Sequence, residues 1–321
     1  MPELVTLGEP MVEFAALEKG PLEEVTTFRR GWGGDTNNVA VAAARLGMSA
    51  GCITRVGQDE FGRSLLTLWD REGVDRSQVV VDPEGYTGIY FISFDAMGRH
   101  AFAYYRKGSA ASRLCPEDVD PKYVGDARVL HTSGITQAIS PTARAAVEAA
   151  VAIARAGGVT VSYDLNLRPR LLPLPELRAA AHAILPQADL VFLSLEDAAY
   201  LDDTCSPEVL VERLLERGPR LVALKMGEQG CLVTDASGTR VRLPAYPVQP
   251  VDTTGGGDAF DAAFLVKWTQ GASLQEAARF ANAVGALAVC GLGAVAALPP
   301  LARVEAFLRE GQHATGRRGS E

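Results

Sequence analysis

Val251-Asp252-Thr253-Thr254-Gly255-Gly256-Gly257-Asp258-Ala259-Phe260 runs three consecutive glycines into a helical pattern that Ala263, Phe264 and Lys267 continue. Glycines at a helix start let bare N–H groups converge at its positive end, where phosphate oxygens or a developing oxyanion are held. A carboxylate in that first turn is unfavourable beside bound phosphate unless it has a task. Taking the proton from a hydroxyl that attacks phosphorus is such a task. Asp, Thr and Gly are also favoured helix caps, so Asp258 by itself reads either way.

Upstream of this stretch, short β-type runs alternate with helical patterns: Leu4–Leu7 then Asn37–Leu46, Ala50–Val56 then Phe61–Glu72, Val129–Thr132 then Thr142–Ala156, Val159–Asp164 then Leu177–Leu185. The alternation implies βαβ units and predicts a doubly wound α/β fold, a mostly parallel sheet with helices on both faces. Further strands are expected at Leu190–Leu193, Leu221–Lys225 and Cys231–Thr234, and helices at Asp258–Thr269, Leu274–Val289 and Leu301–Arg309. One domain over 1–310 is expected, followed by a polar, disordered tail over 311–321.

Four extended runs break the rhythm: Val12–Phe14, Val25–Arg29, Gly88–Phe94 and Ala101–Arg106, with Asp95-Ala96-Met97-Gly98 as a turn between the last two. Alternation puts Phe102, Tyr104 and Arg106 on one face, and Tyr90, Ile92 and Phe94 on one face of the partner strand. Either this is a packed flap, or it is a small β-sheet lid, from about 10–32 and 86–107, hinged over the α/β core.

With 31 Lys and Arg against 39 Asp and Glu, the formal charge is −8, which argues against a nucleic-acid partner. At 47% hydrophobic and 22% charged residues the chain has the composition of a folded protein. Cys52, Cys115, Cys205, Cys231 and Cys290 are scattered without zinc or redox spacing and read as buried free thiols of a reducing compartment. The first residues lack the basic start and long apolar stretch of a secretion signal, so a cytoplasmic location is expected. Phe280–Ala302 contains no charged residue, but Asn282, Gly285, Gly291, Gly293 and Pro299-Pro300 make it a poor membrane span; a buried helix and then a glycine-rich loop are expected.

Two further motifs carry chemistry. Gly33-Gly34-Asp35-Thr36-Asn37-Asn38 precedes helical spacing, with Asp35 or Thr36 as the cap and glycines that permit close approach of a ligand. Asp164-Leu165-Asn166-Leu167-Arg168 ends an apolar strand, and alternation puts its three polar residues on one side, at the carboxyl edge where open α/β sheets bind ligands.

Taken together, Gly33–Leu46 and Asp252–Phe264 resemble the two signature regions of the ribokinase-like (PfkB) sugar kinases, and the order of the elements agrees over nearly the whole chain. Gly256 stands where that family usually carries alanine. The resemblance implies that Asp258 is the catalytic base and that the backbone of Gly255, Gly256, Gly257 and Asp258 forms an anion hole. Within the family, Gly8-Glu9-Pro10, Thr87-Gly88-Ile89-Tyr90, Tyr104-Tyr105-Arg106-Lys107-Gly108 and His131-Thr132-Ser133-Gly134 are similar to the branch that phosphorylates 2-keto-3-deoxygluconate. By that likeness Gly34 and Asn38 hold sugar hydroxyls, Tyr90 and Tyr104 line the lid side, and Arg106 and Arg168 face the substrate carboxylate. Guanidinium offers paired donors to a carboxylate, and a neutral sugar would leave both arginines unpaired.

For ATP, the resemblance implies Lys225, Gly227 and Gly230 of Leu224-Lys-Met-Gly-Glu-Gln-Gly230, the Gly255 and Gly257 amides, and Asn282 near the adenine. Magnesium is expected with ATP. The family's Asn-x-x-Glu is altered to Ser194-Leu195-Glu196-Asp197, so either Glu196 or Asp197 orders the ion through water. A monovalent cation is left open, no membrane is expected, and a homo-oligomer through the open edge of the lid is expected.

No Gly-x-x-x-x-Gly-Lys-Ser/Thr motif exists, which excludes a P-loop kinase. Gly291-Leu-Gly293-Ala-Val-Ala296 imitates a dinucleotide fingerprint but follows no strand. The four histidines have no metal-ligand spacing, and His131 reads as structural. Two classes stay open: an ATP-dependent kinase acting on a sugar acid or on a neutral sugar such as fructose or ribose, and a non-catalytic sugar- or nucleotide-sensing protein. Binding alone needs no base, so Asp258 favours the enzyme.

Overall fold

The computed structural model describes residues 1–95, 97 and 100–316. Strand β1 (Leu4–Leu7) is followed by two lid strands, β2 (Met11–Ala16) and β3 (Phe28–Gly33), then α1 (Asp35–Arg45), β4 (Ala50–Gly57), α2 (Glu60–Glu72) and β5 (Asp75–Asp82). The lid resumes as β6 (Ile89–Phe94) and β7 (His100–Tyr105). Next come α3 (Pro121–Gly125), β8 (Val129–Ser133), α4 (Gly134–Ile139), α5 (Pro141–Gly157), β9 (Thr160–Asp164), α6 (Leu174–Ile184), β10 (Leu190–Ser194), α7 (Leu195–Leu201), α8 (Pro207–Leu215) and β11 (Leu221–Lys225). Strands β12 (Cys231–Asp235) and β13 (Arg240–Leu243) precede α9 (Gly256–Thr269), α10 (Leu274–Ala288) and α11 (Leu301–Gly316).

The main sheet has the order β13-β12-β11-β10-β9-β8-β1-β4-β5, with parallel pairing everywhere except along both edges of β12. Alternating side chains supply two cores. On β10, Leu190 and Phe192 pack with α9 and α10, while Val191 and Leu193 pack with α5 and α6. The chain leaves β1 toward β4 and later returns on its other side at β8, so the strand order reverses between β1 and β8. Open α/β sheets bind ligands in the crevice beyond the carboxyl ends at such a reversal. The residues there are Gly8 and Glu9 after β1, and Ser133 and Gly134 at the end of β8.

The second sheet, β3-β2-β6-β7, is the expected lid. One face carries stacked Tyr90 and Tyr104, with ring centres 5.7 Å apart, and the opposite face carries stacked Phe14 and Phe91 at 5.1 Å. Strand β3 extends beyond the expected Val25–Arg29 to Gly33; the polar, exposed Arg29 and Arg30, on opposite faces, interrupt the apolar pattern there. The turn expected over 95–98 includes Ala96 and Gly98, which lie outside the described residues. The final helix continues to Gly316, through the first part of the segment expected as a tail, and 317–321 lie outside the described residues.

Helix α9 is buried over Ala259–Val266, with apolar residues on every side except at Asp261, because helices and sheet surround it. A Cβ on Gly256 would lie 2.7 Å from Val289 Cγ1, so the glycine lets the start of α9 close against the end of α10. Phe280–Ala302 forms most of α10 and then a glycine-rich loop, and no described helix is long and apolar enough to cross a membrane.

Candidate active site

Gly255 caps α9 in the left-handed region at φ 78°, and the first intrahelical bond runs from Ala259 N–H to the Gly255 carbonyl. The N–H groups of Gly257 and Asp258 therefore have no acceptor within the helix. Asp258 sits among them, and Asn38 Nδ2 donates to its Oδ2 at 2.7 Å. Desolvation of the carboxyl, then the nearby Asp35 carboxylate, push its pKa up to about 7, against the Asn38 hydrogen bond and the Lys225 charge. Asn38 Oδ1 is buried without a partner.

Asn38 lies one turn beyond Asp35 on α1, so both reach the same edge. Asp35 is not the helix cap that its position suggested: α1 is capped by Gly34, whose side-chain-free Cα passes the end of β1 so closely that a Cβ would lie 2.2 Å from the Glu9 carbonyl oxygen. The Asp35 carboxylate instead accepts from Ser133 Oγ at the end of β8, from Asn166 Nδ2 at 3.3 Å and from Thr36 N–H at 2.8 Å. Burial raises its pKa.

The alternation expected from Asp164 to Arg168 does not hold. Strand β9 stops at Asp164, and Asn166 turns the chain at φ 38°, a conformation asparagine tolerates better than most residues. Asp164 thus faces Lys225, Asn166 faces Asp35, and Arg168 is exposed, its Nη1 bonded only to the adjacent Leu167 carbonyl.

On the lid side, Tyr90 is buried and donates to Glu13 Oε2 at 2.6 Å, whereas Tyr104 is 44% exposed and stacks on it. Arg106 lies 5.6 Å from the Tyr104 ring centre and pairs with Glu9, whose other oxygen accepts from Ser109 Oγ at 3.0 Å. The expectation that a neutral sugar would leave two unpaired arginines is therefore corrected for Arg106: a buried carboxylate already balances it. Arg106 Nε remains buried and unpartnered.

Toward the nucleotide side, Lys225 Nζ is held between Asp164 Oδ2 at 2.9 Å and both Asp261 oxygens at 2.9 and 3.0 Å. Burial alone would lower its pKa, but the two carboxylates hold it raised. Gly230 turns at φ 89° where a Cβ would lie 2.0 Å from the Leu243 carbonyl oxygen, which ties it to the approach of β13; Gly227 is open. Asn282 on α10 donates to the Pro244 carbonyl at 3.2 Å.

Of the two acidic candidates for magnesium, Asp197 accepts from Leu167 N–H, Ser194 N–H and Ser194 Oγ at 2.6 to 2.8 Å, while Glu196 is exposed and accepts from the Tyr200 hydroxyl. Asp164 Oδ1 is buried without a partner. Among the described residues no three acidic, His or Cys side chains are grouped to cage a metal, so this donor set fits an ion held through its own waters.

The loop that imitates a dinucleotide fingerprint is a clamp. Gly293 N–H donates to Asp252 Oδ2 at 2.8 Å, Ala294 N–H to Glu13 Oε2 at 3.1 Å and Val295 N–H to the Trp32 carbonyl at 3.2 Å, joining the glycine run to the lid. His131 is buried, 2.9 Å from Ser162 Oγ, and burial lowers its pKa to about 4, consistent with a structural role. All five cysteines are free, two buried and three half-buried.

Sequence reading overlooked Glu9, Glu13 and Asp261. Asp261 carried a usable signal, since it follows Asp258 by three residues on one helix; Glu9 and Glu13 find their partners only in three dimensions.

A doubly wound sheet, a glycine-opened helix at its carboxyl edge and a β lid tied to both define one architecture. Residues 1–300 match the pfkB family carbohydrate kinase, and the chain belongs to that family. It is 36% identical over 315 residues to the 2-dehydro-3-deoxygluconokinase of Thermoproteus tenax, covering 96% of this chain and 95% of that one. It is also 36% identical to fructokinase-1 of Oryza sativa subsp. japonica, with 92% and 94% covered. A solved E. coli structure, named ribokinase II and in complex with ATP and Mg2+, superposes with a TM-score of 0.90 at 31% identity over 97% of this chain and 100% of that one.

Proposed function

We propose that the chain is a cytoplasmic ATP-dependent kinase that transfers the γ-phosphoryl group to a primary hydroxyl of a sugar acid, 2-keto-3-deoxygluconate first among them. The observation that carries this reading is the Asp258 carboxyl, with a pKa near 7, beside helix-start amides that lack acceptors. In the reaction, the sugar lies beneath the lid with hydroxyls against Gly34 and the free Asn38 Oδ1, and Tyr90 and Tyr104 form the wall above it. Asp258 takes the proton from the attacking hydroxyl, and the Gly255, Gly256 and Gly257 backbone stabilises charge on the transferred group. The Gly227 turn, Lys225, Gly230 and Asn282 flank the nucleotide. Magnesium, ordered through water by Glu196 or Asp197, neutralises phosphate charge when bound. Lid closure keeps water from accepting the phosphoryl group. The lid's outer face, with Phe14, Phe28 and Phe91 half-buried and Tyr105 exposed, supports pairing of two copies through it.

Arg168, exposed and without a carboxylate partner among the described residues, supports an acid substrate, as does the Thermoproteus relative. The Glu9–Arg106 pair and the fructokinase relative favour the second reading, a neutral ketose. ADP release measured across 2-keto-3-deoxy acids, aldonic acids and neutral ketoses decides between them. The acid should be preferred in kcat/KM by at least about tenfold, the worth of one charge-assisted contact. Equal or better use of fructose would remove the acid reading.

A further inference from the structure

We infer that Glu13 is a positioning residue that links the sugar wall to the start of α9, so that sugar and ATP each tighten the other's binding through it; this rests on the kinase reading above. The residue is 1% exposed on lid strand β2, and one of its oxygens serves two elements. Oε2 accepts from the Tyr90 hydroxyl at 2.6 Å and from the Ala294 N–H at 3.1 Å. On one side, a Cβ on Gly33 would lie 2.1 Å from the Tyr90 oxygen, so that hydroxyl is wedged beside the backbone that leads to Gly34. On the other, Ala294 backs the cap of α9: a Cβ on Gly255 would lie 3.3 Å from the Ala294 Cα. Tyr90, Glu13, Ala294 and Gly255 thus form a continuous packed row from the wall above the sugar to the amides that face phosphate.

The carboxylate has little room to follow one partner and keep the other. A Cβ on Gly293 would lie 2.5 Å from its Oε1, and one on Gly31 would lie 2.9 Å away. Close packing of this kind passes a small shift on rather than absorbing it. The loop that carries Ala294 has other anchors: Gly293 N–H donates to Asp252 Oδ2 at 2.8 Å, His100 Nε2 on β7 lies 3.5 Å from Asp252 Oδ1, and Val295 N–H donates to the Trp32 carbonyl at 3.2 Å. The loop therefore stays seated without Glu13, and what Glu13 adds is its connection to Tyr90. A sugar that fixes Tyr90 thereby favours the arrangement of Gly255 that ATP uses, and by linkage ATP favours the sugar to the same degree.

The test uses calorimetry on wild type, Glu13→Ala, Glu13→Gln and Tyr90→Phe. It measures Kd for the best-used sugar of the panel above, with and without a non-hydrolysable ATP analogue. In wild type the analogue should tighten the sugar at least about fivefold, and the sugar should tighten the analogue by the same factor. Glu13→Ala and Tyr90→Phe should each bring that factor close to one. Glu13→Gln keeps an acceptor oxygen in the same shape and should retain most of it. A residue that merely supported the fold would weaken both ligands and leave the factor unchanged. A factor that survives Glu13→Ala or Tyr90→Phe, that vanishes in Glu13→Gln, or that is absent from wild type overturns the inference while the kinase reading stands. Should Glu13→Ala fail to fold, Tyr90→Phe decides. If no sugar of the panel binds, the kinase reading fails first and takes this assignment with it.

Discussion

Asp258→Asn should lower kcat by at least about a hundredfold while ATP affinity, measured by calorimetry, changes little. General-base catalysis is worth about 10² to 10⁴ in rate, and asparagine keeps the shape of the side chain without accepting the proton. Asn38 can turn its amide to bond the new residue, so the start of α9 should stay in place. Nothing in the nucleotide's hold on the Gly257 amide depends on the lost charge; removing a carboxylate next to phosphate should, if anything, tighten ATP. Turnover near that of wild type would remove the base assignment and leave Asp258 as a helix-terminal residue.

Lys225→Met should destabilise the protein by about 3–5 kcal/mol in urea or guanidinium unfolding, the cost of leaving buried charge without its partner. The ammonium joins the end of β11 to the end of β9 and to α9 through Asp164 and Asp261, both at most 4% exposed. Without it, the two acids face each other across a site that water barely reaches. Replacing Asp261 by Asn in the same chain should recover part of the loss, since one of the two stranded carboxylates is gone. A variant of unchanged stability with a raised KM for ATP would instead make Lys225 a direct nucleotide contact.

Both predictions concern groups that sequence reading reached unevenly. The glycine run and Asp258 are contiguous, so their chemistry could be read along the chain, and the apolar strands β1 and β11 fell within the expected bounds. Strand β5 was overlooked because Asp75-Arg-Ser-Gln opens it with polar residues, as befits an edge strand, and β13, Arg240-Val-Arg-Leu243, is short and half polar. Helices α4, α7 and α8 span only a few turns each, too short for a firm periodic pattern. The ion pairs are invisible for a different reason: Glu9 and Arg106 stand 97 residues apart, and Asp164 and Lys225 stand 61 apart. No local pattern predicts that such residues neutralise each other. That is why Arg106 read as a free cation, and why Asn166, which ends the strand alternation by its backbone angle, read as a continuation of it.

The central claim is that Asp258 holds a proton acceptor poised near neutral pH. Its direct test is the pH dependence of the single-turnover phosphoryl-transfer rate with ATP and sugar saturating, in wild type and in Asp35→Asn. Because the ionised carboxylate is the active form, the rate should be level above about pH 7 and fall roughly tenfold per unit below it. Removing the like charge of Asp35 should move that fall to lower pH. A rate that stays level down to about pH 5, or a fall that Asp35→Asn leaves in place, would contradict the account.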